Sequence, residues 1–342
     1  MHDPIHGKSV LVTGGTGSFG KRFIETVLRH HRPSRVVVFS RDELKQHEMR
    51  SRPPFDTLDA DRIRYFVGDI RDRPRLMQAF RGVDVVIHTA ALKQVPACEY
   101  NPFEAIKTNV VGAENIIDVA IERNVERVVA LSTDKACNPV NLYGATKLCS
   151  DKLFVAGNSY AGGRSTRFSV VRYGNVVGSR GSVVPFFLRK RHEGKLPITH
   201  PEMTRFWITL DEGVELVLKS LERMQGGEIY VPKIPSMRIA ELARAVAPDA
   251  EQAVVGIRPG EKLHEMMISR DDARHTREFD DHYVIEPDFA WWQKGTGSEG
   301  KACAEGFQYS SETNTSWLNH DQLRAMVRPL ADELGEELWE AL

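Results

Sequence analysis

Short apolar runs alternate with amphipathic stretches along the first half of the chain. The runs are Ser9–Thr13, Arg35–Phe39, Ile63–Val67, Val83–Thr89, Arg127–Ser132 and Phe168–Val171, and several are continuously apolar. Such runs suit strands buried on both faces. Between them, Phe23–Leu28, Arg73–Phe80 and Ala113–Glu122 carry apolar residues at helical spacing. Strand–helix alternation predicts an α/β architecture, a parallel sheet wound by helices on both faces.

After about Asn175 the rhythm breaks. Thr209-Leu210-Asp211-Glu212 reads as a capping box, in which a hydroxyl and a carboxylate satisfy free amides at a helix start. Val214, Val217, Leu218 and Leu221 then share one helical face. Ile239, Leu242, Ala243 and Val246 form a second face, stopped by Pro248. The expected division is a first domain over residues 1–175, to which later segments can return, and a smaller, mostly helical lobe over residues 176–342. Gln293–Gly306 is rich in Gly, Ser and Lys and reads as a mobile loop. No internal repeat is visible.

Composition narrows the classes. The chain has 342 residues, 41% hydrophobic and 27% charged, as in ordinary soluble globular proteins. With 46 Lys+Arg against 47 Asp+Glu it lacks the basic excess that counterion-release binding to nucleic acid requires. No apolar run approaches the roughly 20 residues that span a bilayer, and the first residues lack a signal-peptide layout. Cys98, Cys137, Cys149 and Cys303 show no CxxC, disulfide framework or metal-ligand spacing. The expectation is a cytoplasmic protein with no metal.

The first candidate site is Thr13-Gly14-Gly15-Thr16-Gly17-Ser18-Phe19-Gly20, after the first strand and before a helix beginning near Lys21. Gly15, Gly17 and Gly20 satisfy GxGxxG, which lets backbone amides approach a pyrophosphate at a helix N-terminus. The context predicts a Rossmann-type dinucleotide site. The second strand ends Ser40-Arg41-Asp42, with Lys45 a turn later. A hydroxyl and two cations suit a ribose 2′-phosphate, so the expected cofactor is NADP, with Asp42 leaving NAD as the alternative. Asp69 and Ile70 end the third strand; Ala90, Ala91 and Lys93 follow the fourth.

The richest stretch runs from Ser132 to Lys147. Tyr143 and Lys147, at i and i+4, share a helical face. A phenol is a poor base at neutral pH; a neighbouring ammonium favours its phenolate.

At these residues the sequence resembles the extended short-chain dehydrogenase/reductase superfamily. Within it, it resembles the inverting UDP-N-acetylglucosamine 4,6-dehydratases that open pseudaminic acid biosynthesis. The segments that carry this are TGGTGSFG (13–20), FSRDELK (39–45), GDIRD (68–72), AALK (90–93), LSTDKACNPVNLYGATKLCSDKLF (131–154), VRYGNVVGSRGSVVPFF (171–187), MTRFWITLDEG (203–213), GGEIYVPKIPSM (226–237) and GIRPGEKLHE (256–265). Tyr309-Ser310-Ser311 and Asn314 resemble the closing segment of that group.

The resemblance implies a set of cofactor contacts. These are Gly14, Thr16, Gly17, Ser18, Phe19, Gly20, Ser40, Arg41, Asp42, Lys45, Asp69, Ile70, Ala90, Ala91, Lys93, Thr108, Tyr143, Lys147, Asn175 and Val176. It implies Asp134 and Lys135, with Thr133, as the pair that separates these dehydratases from retaining ones, which carry Asp-Glu. In the implied mechanism Tyr143 takes the C4 hydroxyl proton as hydride passes from C4 to NADP. Lys135 removes the C5 proton, Asp134 protonates the departing C6 hydroxyl, and hydride returns to C6. Reprotonation of C5 from the opposite face inverts that centre. A general-base Lys must be neutral, which an ionised Asp134 beside it opposes, so the two titrate as a unit.

The resemblance also implies UDP-sugar contacts at Lys93, Asn175, Val183, Thr199, Met203, Arg205, Arg258 and Glu261. Two other enzyme readings are a UDP-sugar 4-epimerase and a capsule-type dehydratase/5-epimerase; a non-catalytic NADP-sensing regulator is a reading of another class. A homo-oligomer is expected, with the charged arm Arg41–Thr57, which contains Phe55, as a candidate interface.

Overall fold

The computed structural model describes residues 3–58, 61–179, 182–289, 292 and 300–333. Strands β1 (Ser9–Thr13), β2 (Arg35–Ser40), β3 (Ile63–Val67), β4 (Val85–His88), β5 (Arg127–Thr133) and β6 (Arg167–Tyr173) form where the apolar runs place them. They pair in parallel in the order β3-β2-β1-β4-β5-β6. Every residue of β1 and β4 is buried, which explains why those runs show no alternation. From β1 the chain winds outward to β3; from β4 it winds the other way to β6. The strand order therefore reverses between β1 and β4, and a crevice opens at their carboxyl ends.

Later segments join the same sheet. Ile229–Pro232 pairs in parallel with β6; His282–Ile285, Thr276–Glu278 and Lys301–Ala302 extend that edge antiparallel. Helix Ser18–His30 starts earlier than the expected Lys21 and buries Phe23, Ile24, Val27 and Leu28. Helix Leu210–Arg223 opens with both capping-box bonds, Thr209 with Glu212. Ile239–Val246 buries Ile239, Leu242, Ala243 and Val246 as its spacing requires.

The second half differs from a mostly helical lobe by several short strands. Asn175–Val176, Thr204–Ile208 and Ser236–Arg238 make one sheet; Lys195–Ile198 pairs with Glu251–Val254, and Met266–Ile268 with Tyr309–Ser310. Runs of two to five residues are too short for a period-2 pattern to stand out. The helices Val183–Lys190, Ile239–Val246 and His320–Glu333 share a second core with Trp207 and Met237, separate from the one around the main sheet.

The arm Arg41–Thr57 contains helix Glu43–Arg50; its Met49 and Phe55 are buried in the main core, while its Leu44 is 62% exposed. Of the glycine-rich segment, residues 293–299 lie outside the described residues, while Lys301–Ala302 is an edge strand. No helix among the described residues is long and apolar enough to cross a membrane.

Candidate active site

One cleft runs along the carboxyl ends of the strands, and its lining contains the site residues singled out above except Gly15 and Asp134. At the β1 end the turn is built by glycines. Gly14 has φ +65°, and a Cβ there would lie 2.9 Å from the Ala90 amide nitrogen. A Cβ on Gly20 would lie 2.7 Å from the Gly14 carbonyl oxygen. Gly15 acts differently: it is absent from the lining, and its missing Cβ makes room for Val38. The cradle is therefore bare backbone at the start of helix Ser18–His30, and it fits a pyrophosphate. Thr13 ties β1 to the floor. Its hydroxyl meets the His88 Nδ1 at 2.9 Å and accepts from the Thr89 amide at 3.1 Å.

Charges at the outer end are mutually paired and solvated. Asp42 caps helix Glu43–Arg50 by accepting from the Lys45 amide at 3.0 Å, and its other oxygen takes the Lys45 ammonium. Asp69 accepts from the Arg71 amide at 2.9 Å and from its guanidinium at 2.7 Å. Arg41 is 56% exposed, with Asp69 3.7 Å away. The Thr108 hydroxyl and the Asn175 carbonyl oxygen belong to lining residues and are buried without a hydrogen-bond partner among the described residues. They offer donor and acceptor capacity to a ligand in the cleft.

The inner end is a cluster of buried ionisable groups. Helix Leu142–Tyr160 starts at Asn141, whose side chain accepts from Gly144 at 2.7 Å. Gly144 is required there: a Cβ would run into the Lys135 carbonyl. This close approach brings Tyr143 beside the loop after β5. Burial pushes the Tyr143 phenol up to about 12, opposed by the charge of Lys135 and a hydrogen bond with Thr133. The ammonium that favours the phenolate is thus Lys135, where the i,i+4 spacing points to Lys147. Lys147 is buried, which lowers its pKa, and the opposing charge is Asp151. Asp151 in turn accepts from the Ser132 hydroxyl at 2.7 Å and meets the buried Arg172 guanidinium at 3.3 Å.

Asp134 lies wholly inside. Its Oδ1 accepts from the Thr133 hydroxyl at 3.0 Å and from the Lys135 ammonium at 2.9 Å. The Lys135 ammonium also meets the Glu265 Oε1 at 3.2 Å. Burial opposes the charge on Lys135, but these two carboxylates prevail and raise its pKa. Lys93, also in the lining, is lowered by burial and by the nearby charge of Lys135. Cys137 is buried, and its thiol is pushed up to about 11 by desolvation, so it stays a thiol near neutral pH.

The opposite wall carries Val183, Thr199, Met203, Arg205, Arg258 and Glu261. Arg205 is committed inward: it donates to the carbonyls of Leu263 at 3.1 Å and Lys262 at 3.0 Å. Arg258 is 62% exposed, with Glu261 3.8 Å away. Asn141 donates to the Gly260 carbonyl at 2.7 Å, which joins this turn to the start of the Tyr143 helix.

Three residues of the site escape sequence reasoning. Glu265 sits at the end of GIRPGEKLHE, a segment that carries the resemblance, yet only the fold brings it to Lys135. Asn109 joins Leu92 (2.8 Å) to Thr146 (3.0 Å), and so fixes the loop after β4 to the Tyr143 helix. It lies in the π-turn Lys107–Val111, a local irregularity common at functional sites. Trp207 lines the cleft, and its indole nitrogen is buried without a partner among the described residues.

Several known proteins are similar to this chain. Residues 10–287 match the family described as polysaccharide biosynthesis protein. The chain is 54% identical, over 94% of its length and 97% of the relative's, to an inverting UDP-N-acetylglucosamine 4,6-dehydratase of Campylobacter jejuni subsp. jejuni serotype O:2. It is 42% identical, over 82% of its length and 83% of the relative's, to a UDP-glucose 4-epimerase of Rickettsia canadensis. The X-ray structure of Pen from Bacillus thuringiensis matches with a TM-score of 0.86 at 34% identity, covering 95% of this chain and 99% of that one. DesIV of Streptomyces venezuelae, a dTDP-glucose 4,6-dehydratase solved with NAD and TYD bound, shares the fold at a TM-score of 0.64 and 24% identity, covering 75% of this chain and 86% of that one. The chain belongs to the polysaccharide biosynthesis protein family and to the extended short-chain dehydrogenase/reductase type.

Proposed function

We propose that the chain is a C5-inverting UDP-N-acetylglucosamine 4,6-dehydratase, a hydro-lyase that makes the UDP-linked 2-acetamido-2,6-dideoxy-4-ulose for pseudaminic acid or a related glycan. The observation that carries this reading is the ammonium of Lys135 beside the buried Tyr143 phenol, in a cleft with a glycine cradle at one end. A 54% identical relative with the same named activity supports it. The 42% identical epimerase is the reason to keep 4-epimerisation as the second reading.

The cofactor of this reading is NADP, with Arg41 and Lys45 on the 2′-phosphate. Bound at the glycine cradle, it supplies reversible hydride storage. Tyr143 accepts the C4 hydroxyl proton, helped by the neighbouring cation. Lys135 then hands its proton to Asp134 2.9 Å away and, now neutral, takes the C5 proton. Asp134 is excluded from the cleft surface, so its proton reaches the C6 hydroxyl through the Lys135 nitrogen 2.9 Å away. Lys135 then works both steps: it gains the C5 proton and passes a proton to the departing hydroxyl, which leaves as water. A solvent-exchanged proton added to C5 on the other face inverts the centre and balances the C4 hydroxyl proton that Tyr143 took up. Positioning and acid–base transfer carry the rate. Arg258 has exposed donors for the pyrophosphate, Glu261 suits a ribose diol, and Arg205 braces the wall behind them. A homo-oligomer in the cytoplasm completes the reading.

The test is NMR of the product formed from UDP-N-acetylglucosamine in deuterated water. A C6 methyl group, loss of water and deuterium at C5 in the inverted configuration are expected. A product isobaric with the substrate replaces the dehydratase with the epimerase.

A further inference from the structure

Glu265 belongs to no part of the mechanism described so far, yet it is the second carboxylate on Lys135. It is 2% exposed, and it lines the cleft where Asp134 does not. Its Oε1 lies 3.2 Å from the Lys135 nitrogen and 3.9 Å from the Arg205 Nε. Its Oε2 is buried without a hydrogen-bond partner among the described residues, and the Lys262 ammonium stands 3.7 Å from it. A carboxylate this dry is unfavourable unless cations face it, and Lys135, Arg205 and Lys262 do.

The backbone under Glu265 is held from a distant part of the chain. Its amide donates to the Ser311 hydroxyl at 2.9 Å, and the Ser311 amide donates to its carbonyl at 2.8 Å. Ser311 also shares a 2.7 Å bond with the Thr204 hydroxyl. The pairing of Met266–Ile268 with Tyr309–Ser310 continues this anchor. The tail therefore fixes a charge beside the reaction centre.

We infer that Glu265 is a positioning residue for Lys135, a cleft-side anchor that holds its amine in place and sets how readily it releases a proton. The role in dehydration rests on the proposed function; the effect on Lys135 itself does not. Asp134 and Glu265 favour the charged amine, while Arg205, Lys93 and burial oppose it, and Tyr143 stands beside it. With Glu265 neutral, one of the two favourable charges is gone and the free amine becomes commoner at a given pH.

Two measurements test this. The first needs no turnover: acetylation of Lys135 by acetic anhydride at pH 9, followed by peptide mass spectrometry and normalised to the exposed Lys152. Lys135 is 22% exposed, enough for a small reagent. Glu265→Gln is expected to label at least about tenfold faster than wild type, since each pH unit is tenfold in free amine. Glu265→Asp, which keeps the charge at shorter reach, is expected to fall between the two. A rise below twofold in Glu265→Gln overturns the inference. If that variant does not fold, an unchanged rate in Glu265→Asp overturns it, and a rise of about threefold supports it.

The second measurement is the pH profile of kcat/KM for UDP-N-acetylglucosamine. The limb on which activity rises with pH should move to lower pH in Glu265→Gln, with KM changed less than threefold. A residue needed only for folding would change KM and Tm and leave that limb in place. Wild-type protein that makes no dehydrated product sinks the proposed function, while the labelling result still decides the assignment of Glu265.

Discussion

The two ends of the cleft solve the same problem, holding charge, in opposite ways. At the outer end Arg41, Asp42, Lys45 and Asp69 sit at or just past strand ends and remain solvated; Asp42 pairs with Lys45 and Asp69 with Arg71, a few positions away, and Arg41 reaches Asp69 at the neighbouring strand end. At the inner end Asp134, Lys147, Asp151, Arg172 and Glu265 are buried; Asp134 meets its neighbour Lys135, but Lys135 also meets Glu265 and Asp151 meets Arg172, which distant elements supply. Water screens the first group, so each pair there is worth little. The second group has only itself for solvation, so each loss leaves an uncompensated charge. On the proposed function, the outer end tunes binding and the inner end sets chemistry.

The sharpest way to break that division is Tyr143→Phe. The expected result is a fall in kcat of about a thousandfold, within the range for loss of a positioned acid–base group. NADP binding and KM should move little, because the ring stays. A fall of less than tenfold would mean that the inner end is not where the reaction occurs. At the outer end the largest effect should come from backbone. Gly20→Ala places a methyl group 2.7 Å from both the Gly14 carbonyl oxygen and the Gly15 Cα, neither of which can swing away. Cofactor affinity should drop by about a hundredfold in an equilibrium titration, more than any single charge removal there.

The same contrast explains what the sequence made legible. The outer end reads directly, because glycines, strand ends and a helix cap lie within one βαβ unit; Thr209 and Glu212 are legible for the same local reason. Tyr143 and Lys147 are legible because helical spacing places them together. The inner cluster is legible only in part. Glu265 meets Lys135 through the pairing of Met266–Ile268 with Tyr309–Ser310, a contact that no local pattern encodes. Arg205 stands in a segment that fits a phosphate contact, but its donors go to the carbonyls of Leu263 and Lys262, which only tertiary structure supplies. Short strands such as Asn175–Val176 leave no periodic signal at all.

A smaller effect of burial is on stability. His88, at the end of β4, is wholly enclosed between Thr13 and Phe154, and desolvation with the charge of Lys147 lowers it to about 3. The unfolded chain would take up a proton there near pH 6.5 and the folded chain would not. The unfolded state thus binds more protons below that pH, and stability is lost as pH falls from about 6.5 towards 3. By pH 5 this amounts to about 2 kcal/mol. His88→Gln removes the titration. Urea unfolding at pH 7 and pH 5 should show the variant losing about 2 kcal/mol less than wild type over that interval. Equal losses would place the acid-sensitive group elsewhere.

The mildest prediction concerns the solvated end. Arg41 is more than half exposed and, among the described residues, its ion-pair contact is with Asp69 at 3.7 Å. Its fork is free to take a 2′-phosphate, and Arg41→Ala should weaken NADP about tenfold, roughly 1.4 kcal/mol. NAD binding should change less than twofold, because the 2′-phosphate is the only group that distinguishes the two. Lys45 is already held by Asp42 at 2.5 Å, so Lys45→Ala should weaken NADP by about threefold or less. Asp42, which caps its own helix, is poorly placed to give its carboxylate to a ribose diol. Fluorescence titrations with both dinucleotides decide this. An Arg41→Ala protein that loses NAD and NADP affinity equally would show Arg41 supporting the loop rather than reading the phosphate. Repeating the titrations at high salt should shrink the Arg41 effect and leave the Gly20 effect intact, since ions screen a guanidinium in water but not a backbone clash.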